Sequence, residues 1–111
     1  MGEVIDFRRS AFSIGDVIHH RLFDYRGVIV DVDPIFQGSD EWYLTVARSR
    51  PPRDKPWYHV LVDQSSQTTY VAERNLEKDN SGKPVTHPLL ERFFSDFEGG
   101  RYIRTNQFHT N

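Results

Sequence analysis

Alternation of apolar and polar positions predicts two strands near the start of the chain. In "IGDVIHHRL" (residues 14–22), one register holds Ile14, Asp16, Ile18, His20 and Leu22, which predicts a strand with Ile18, His20 and Leu22 facing inward. The turn "FDYRG" follows it, and "GVIVDVDP" (residues 27–34) then alternates again. These two segments together predict a β-hairpin.

The second predicted strand carries two aspartates on one face. Val28, Val30 and Val32 share one side in this pattern, whereas Ile29, Asp31 and Asp33 share the other. Paired carboxylates suit hydrolysis or metal binding, but a strand end at the solvent, with an Asp-Pro turn, explains them as well. The structural interpretation is favoured because no other acid–base motif accompanies the pair.

Residues 39–47, "SDEWYLTVA", predict a short helix inside the long connection that follows. Ser39 is a suitable N-cap, and Trp42, Tyr43 and Val46 fall on one side of such a helix. The next segment, "RSRPPRDKP", contains three prolines and is therefore predicted to run extended and exposed over residues 48–56.

A second hairpin is predicted from residues 57–63 and 68–72, joined by "QSSQ". Both registers of "WYHVLVD" contain apolar residues, which indicates a central strand that is covered on both faces. The pattern leaves open which of these faces lines the interior of the domain.

The C-terminal part predicts a short last strand over residues 84–87 and a helix over residues 87–97 that Gly99 and Gly100 end. Short strands, tight hairpins and few helices are typical of a mainly β protein. We therefore expect a small SH3-like barrel with a short helix in its long loop and a C-terminal helix.

Length and composition predict one domain. The 111 residues divide into a flexible arm (1–11), the barrel (12–98) and a tail (99–111). No apolar stretch approaches the roughly 18 residues that span a bilayer, and no secretory signal is visible at the N-terminus, so we expect a cytoplasmic protein without a membrane contact.

Charge and residue types exclude several classes of function. The formal net charge of −2 does not suggest a dedicated nucleic-acid-binding protein, so any DNA contact must use a local basic patch. There is no cysteine, which excludes disulfides and thiolate metal sites. No catalytic triad, phosphate-binding loop or nucleotide motif is present, and we predict neither an enzyme nor a cofactor.

The histidines offer one metal hypothesis. His20, His59 and His87 form a site only if the fold brings them together. Isolated inward histidines are more often hydrogen-bonded residues of the core, so we predict no metal. For His20 in particular, its apolar register neighbours predict a buried, neutral imidazole at pH 7.

A basic segment is the best candidate surface for DNA or a protein partner. Arg48, Arg50, Arg53 and Lys55 oppose only Asp54. Aromatic residues beside them, Trp42 and Trp57, suit both nucleic-acid stacking and protein hot spots. A solvated charged loop is the alternative interpretation.

Four motifs, in order and spacing, resemble the HspQ family, also called the YccV-like hemimethylated-DNA-binding domain. They are "IGDVIHHRLFDYRGVIVDVDP", "KPWYHVLVD", "TYVAERNL" and "THP", and the resemblance extends from about Phe12 to about Phe97. The positions that match the family motifs are His20, Gly27, Asp33, Pro34, Pro56, Trp57, Tyr58, His59, Tyr70, Glu73, Leu76, His87 and Pro88.

The resemblance implies an SH3-like barrel without a catalytic site and two roles. One role is binding of hemimethylated DNA near the replication origin. The other is heat-shock quality control, in which the protein is a specificity factor that helps a Lon-type protease degrade clients such as an altered replication initiator. We expect the second role to lead, while a DNA-binding regulator without a protease role remains the alternative. A small homo-oligomer and a monomer both remain open.

Overall fold

A five-stranded antiparallel sheet forms the body of the molecule. The structure, a computed structural model, describes residues 10–105. The strands of this sheet are β1 (Val17–His20), β2 (Arg26–Asp33), β3 (Trp57–Val62), β4 (Thr68–Ala72) and β5 (Leu76–Lys78). A helix, α1 (Asp40–Val46), lies between β2 and β3. After β5 come one helical turn, α2 (Leu90–Phe93), and two further strands, β6 (Phe94–Glu98) and β7 (Arg101–Arg104).

The strand order β4-β3-β2-β1-β5 confirms the predicted mainly β, SH3-like barrel. A single 3-10 turn, Glu73–Asn75, carries the chain from β4 across to β5, which then pairs with β1. The predicted hairpins β1–β2 and β3–β4 are both present, and β3 is a central strand between β2 and β4.

Two apolar clusters lie on opposite faces of the sheet. The barrel interior is formed by Ile18, Ile29, Tyr58, Val60, Val71 and Leu76. The other face, which we call the hairpin-covered face, carries Val17, Val28 and Leu61 under Val85, Phe94 and Tyr102. Neighbouring residues of β1, β2 and β3 thus alternate between the clusters, as strand geometry requires. The prediction that β3 is covered on both faces is confirmed.

A β-bulge in β2 corrects the predicted alternation of its valines. Ile29 pairs with Val60 and Asp31 pairs with His59, so Val30 is an extra residue without a partner on β3. One extra residue inverts the faces beyond it. Val32 consequently packs against the barrel interior, whereas Val30 packs against the hairpin-covered face, and the two valines do not share a side.

The predicted C-terminal helix over residues 87–97 is wrong except for the single turn α2. Strands β6 and β7 form a hairpin instead, with Glu98 opposite Arg101 and Gly99 and Gly100 between them. Both glycines have positive φ, 62° and 82°, the backbone shape that a two-residue hairpin turn requires. The glycine pair therefore reverses a strand and does not end a helix.

Residues 84–87 do not form the predicted strand. Val85 is buried, and its backbone is held by the Tyr102 hydroxyl, which accepts from Val85 N at 2.7 Å and donates to Val85 O. The strand that closes the barrel is β5 (Leu76–Lys78), for which the sequence pattern predicts no strand. Three residues are too few to show a period in the sequence.

Helix α1 is confirmed, including its cap, since the Ser39 hydroxyl accepts from Trp42 N at 3.1 Å. Two predicted apolar positions are wrong: Val46 is 53% exposed and Leu22, which lies in the β1–β2 turn, is 58% exposed. The predicted exposure of the proline segment is also wrong at Pro51 and Pro56, which are buried.

Most of the predicted arm (1–11) and the end of the predicted tail lie outside the described residues. Among residues 10–105, no helix is long and apolar enough to cross a membrane.

Candidate functional site

Aromatic rings hold α1 against the end of β3. Trp57 is 1% exposed and donates its indole N–H to Pro52 O at 3.0 Å. The Tyr43 hydroxyl donates to Pro51 O at 2.7 Å, so the middle of the proline segment (48–56) is fixed at two adjacent carbonyls. Ring centroids lie 4.8 to 6.4 Å apart among Phe36, Trp42, Tyr43, Trp57 and Tyr70. Trp57 is thus a packed residue of this cluster, and Trp42 is half-buried on it.

The four basic residues of the predicted surface differ in their contacts. Arg53 pairs with Asp40 at 3.0 Å, and its guanidinium lies 4.0 Å from the centre of the Tyr43 ring. That cation therefore belongs to the packing of α1. Arg48, Arg50 and Lys55 are exposed, and no ion pair within residues 10–105 involves them.

A polar network covers the outer side of β3. Asp33 Oδ2 accepts from the Tyr70 hydroxyl at 2.7 Å and lies 3.1 Å from His59 Nε2. Burial and the hydrogen bond to Asp33 raise the pKa of Tyr70, so the phenol stays protonated as the donor. Gln37 N donates to the same phenol oxygen.

Asp31 joins this network as a third group of the kind that ligates metals. One oxygen or nitrogen from each of Asp31, Asp33 and His59 lies within 4.8 Å of the others. Carboxylates and imidazole suit a divalent cation, but Asp33 already accepts hydrogen bonds from Tyr70 and His59. The three histidines considered as a metal hypothesis, His20, His59 and His87, are not brought together as a ligand group within the described residues.

An open, mostly apolar groove of about 910 Å³ runs along β4, and we call it the edge groove. One wall comes from the β1–β2 turn, where Phe23 is 73% exposed and Leu22 is also exposed. The opposite wall comes from the end of α1, with Val46, Ala47 and Arg48. Residues 68–72, the whole of β4, form its floor.

Sequence reasoning missed this groove because its parts are 20 or more residues apart along the chain. One signal was available in the sequence. "RLFDYRG" places two large apolar residues, Leu22 and Phe23, in a turn, where a soluble protein gains nothing from them unless they meet a partner.

The family described as "Hemimethylated DNA-binding protein YccV like" matches residues 10–101. The chain belongs to this family. Among curated proteins it is similar to F-box only protein 21 of Mus musculus (35% identical over 98 residues) and of Homo sapiens (34%). These matches cover 86% of this chain but only 16% and 15% of the two relatives. The chain thus spans about one-sixth of their length.

Two histidines at family motif positions stabilise turns of this YccV-like domain. His20 is 4% exposed, and its Nδ1 accepts from Leu22 N and Phe23 N, both at 3.1 Å. Burial lowers the pKa of His20, and an Nδ1 with two N–H donors is unprotonated, so both observations support the predicted buried, neutral imidazole. His87 is also buried and accepts from Leu89 N at 3.1 Å.

Other family positions close the barrel. The Tyr58 hydroxyl donates to Glu73, which also accepts from Ala11 N at 2.9 Å, so these residues tie the N-terminal segment to the 3-10 turn. Gly27 lies against β3, where a Cβ would come within 2.5 Å of Val60 and 2.6 Å of Leu61 O. Leu76 is 2% exposed in the barrel interior.

The remaining motif positions are prolines next to the ends of strands or helices. Pro34 ends β2 beside Asp33, Pro56 is buried before β3, and Pro88 is exposed before α2. Most of the matched positions are therefore explained by the fold of the domain. The fold does not require the exposed residues of the proline segment (48–56), which we call the basic loop from here on, or those of the edge groove.

Proposed function

We propose that this YccV-like domain recognises a segment of a protein and acts as a specificity factor that promotes degradation of protein clients by a Lon-type protease during heat stress. The edge groove is the observation that supports this role. It leaves large apolar side chains exposed, Phe23 and Val46 among them, next to a strand edge. A non-enzymatic adaptor in the cytoplasm needs a surface of this kind and no reacting groups.

Charge supports a protein partner more than a phosphate backbone. Of the four predicted cations, Arg53 is engaged by Asp40. Two acidic residues of β2, Asp31 and Asp33, lie opposite His59 and Trp57 of β3, and the whole chain carries a net charge of −2. Burial of apolar groups, in contrast, does not depend on net charge.

A degradation assay tests the proposal. Purified Lon protease and an unfolded client are mixed with and without this protein, and client loss is followed over time. We expect the protein to accelerate loss and Phe23→Ala to remove most of the acceleration. Ile103→Ala is the matched control, because Ile103 is exposed on β7 away from the groove.

One result would contradict the adaptor role, and another would contradict its assignment to the edge groove. One is client degradation that does not change when the protein is added. The other is equal acceleration by the Phe23→Ala variant, the Ile103→Ala variant and the unchanged protein, which would show that the groove has no part in the effect.

Binding of hemimethylated DNA is the second candidate function. The family match supports it, and so does the exposure of Arg48, Arg50 and Lys55. Three phosphate contacts give a log–log salt slope of about −2.7, at roughly −0.9 per contact. Such binding would be weak at physiological salt.

Duplexes of one sequence, methylated on one, both or neither strand, provide the test of this second function. We expect tighter binding of the hemimethylated duplex and loss of binding when Arg48, Arg50 and Lys55 are all changed to Glu. The matched control reverses three exposed cations elsewhere, Lys83, Arg92 and Arg104. Equal losses in both variants would mean that the basic loop is not the DNA site.

A further inference from the structure

The outer edge of β4 presents free backbone groups. Strand β4 is the last strand of the sheet, with β3 as its neighbour on one side. Val62 N donates to Gln67 O at one end of the β3–β4 ladder, and Glu73 N donates to Pro56 O at the other. In an antiparallel pair, alternate residues bond to the partner strand. These two bonds therefore identify which residues of β4 bond to β3.

It follows that Thr69 and Val71 direct their backbone groups toward β3, while Thr68, Tyr70 and Ala72 direct theirs away from it. Ala72 is the N-cap of the 3-10 turn, and its C=O is engaged there. Within residues 10–105, no other segment bonds to the N–H and C=O of Thr68 and Tyr70 or to the N–H of Ala72. Unpaired strand edges are templates for an added strand.

The position of the edge groove agrees with a free outer edge on β4. All five residues of β4 line it, although neighbours on a strand point to opposite faces of the sheet. Tyr70 contacts His59 on the outer side of the sheet, whereas Val71 packs in the barrel interior. A cavity that touches both sides of one strand must lie along the edge of that strand.

The walls and charges of the groove define what fits. Leu22 and Phe23 on one wall and Val46 on the other are apolar and exposed. Among the described lining residues none is acidic, and Arg48 supplies a fixed positive charge. At the Ala72 end, Arg74 donates to Ser49 O at 2.6 Å and adds a second guanidinium close by. The complementary ligand is apolar with acidic flanks.

We propose that β4 binds an extended, acidic-flanked apolar segment of a partner protein as an added β-strand. The segment pairs with the N–H and C=O groups of Thr68 and Tyr70 and with the N–H of Ala72, and its side chains pack alternately on the two walls. A five-residue strand accommodates a segment of about five residues. This inference rests on the proposed function and specifies how the client is recognised.

The probe is a fluorescein-labelled peptide with two glutamates at each end and five alternating valine and threonine residues between them. We expect saturable binding by fluorescence anisotropy. Val46→Glu should weaken it at least tenfold, because it places a charge on the groove wall. The matched control is Leu44→Glu, since Leu44 is similarly exposed on the same helix but does not line the groove.

N-methylated probes separate strand addition from simple apolar contact. One peptide carries N-methyl groups on its valines and the other on its threonines, so each lacks the N–H donors of one edge. Strand pairing predicts that one of them loses about tenfold or more in affinity, since the two hydrogen bonds to Thr68 O and Tyr70 O, of about 1 kcal/mol each, are lost, and that the other binds as before.

Three outcomes would overturn the inference. If both methylated peptides bind equally and Val46→Glu still weakens binding, the groove recognises side chains alone and the proposed function stands. If the unmodified probe does not bind, strand addition is wrong, and the degradation assay decides the adaptor role by itself. If Val46→Glu weakens binding of duplex DNA but not of the probe, the groove belongs to a nucleic acid.

Discussion

The hairpin-covered face and the edge groove both bring apolar side chains to the same sheet, but only the first is covered by another part of the chain. On the hairpin-covered face, Phe94 and Tyr102 are 5% and 4% exposed and pack with ring centroids 5.2 Å apart. In the groove, Phe23 is 73% exposed. Apolar area that the chain buries itself stabilises the fold, while apolar area left open is available for a partner.

The largest effect expected is the loss of Phe94. Phe94→Ala removes a buried aromatic ring from the hairpin-covered face and should lower the free energy of unfolding by about 3 to 5 kcal/mol. Phe93→Ala is the control, because Phe93 is 38% exposed next to it in the chain. Chemical denaturation measures both, and equal, small changes would show that the hairpin is not packed as described.

A smaller loss of stability is expected for a substitution where β2 pairs with β3. A Cβ at Gly27 would lie 2.5 Å from Val60 Cγ1, so Gly27→Ala forces the two strands apart. Overpacking of this kind costs typically 1 to 3 kcal/mol. Thermal denaturation is the measurement, and an unchanged melting temperature would contradict the close approach.

In the edge groove, the expected change in stability is close to zero. Phe23→Ala removes a ring that contacts His20 but remains mostly in solvent, and should change the unfolding free energy by no more than about 0.5 kcal/mol. Protease stimulation should nevertheless fall. If stability dropped as far as in Phe94→Ala, the two regions would not differ in the way described.

The smallest effect concerns two adjacent histidines with opposite pKa shifts. Hydrogen bonds to Asp24 and Glu77 raise the pKa of His19 above its ordinary value of 6.5, and burial lowers that of His20 below it. The contribution of His19 to stability is complete below pH 6.5 and is lost as the pH rises through its raised pKa. That of His20 is present above pH 6.5 and is lost as the pH falls through its lowered pKa.

NMR titration of the imidazole signals measures both values directly. We expect His19 to titrate above pH 6.5 and His20 below it, and replacement of Asp24 by Asn should lower the first value and leave the second nearly unchanged. A His20 signal that titrates normally would mean that the imidazole is open to solvent.

The parts of the fold that sequence patterns predicted correctly are those with local signals. Ser39 and the residues after it identify α1, and strong alternation or β-branched runs identify β3 and β4. The hairpin after Phe93 was mistaken for a helix because five apolar residues happen to follow a helical spacing over residues 89–97. Residues 94–98 form the strand β6 instead, because they pair with β7.

For the candidate site, local signals identified residues but not their partners. The basic loop was visible as a run of charges, yet the pairing of Arg53 with Asp40 depends on how α1 packs. The edge groove combines a turn, a helix end and a strand edge from three separate stretches. No periodicity in the sequence connects them, so only the folded chain reveals the groove.

The contact between the two ends of the described chain has a consequence for biosynthesis. Tyr102 N donates to Gly15 O, and Arg101 pairs with Asp16, across about 85 residues of sequence. A ribosome releases Val17 and Val28 well before the β6–β7 hairpin, so the hairpin-covered face stays bare until that hairpin has been made. Nascent chains that stall before Phe94 would expose this face, and we expect them to aggregate or to need a chaperone.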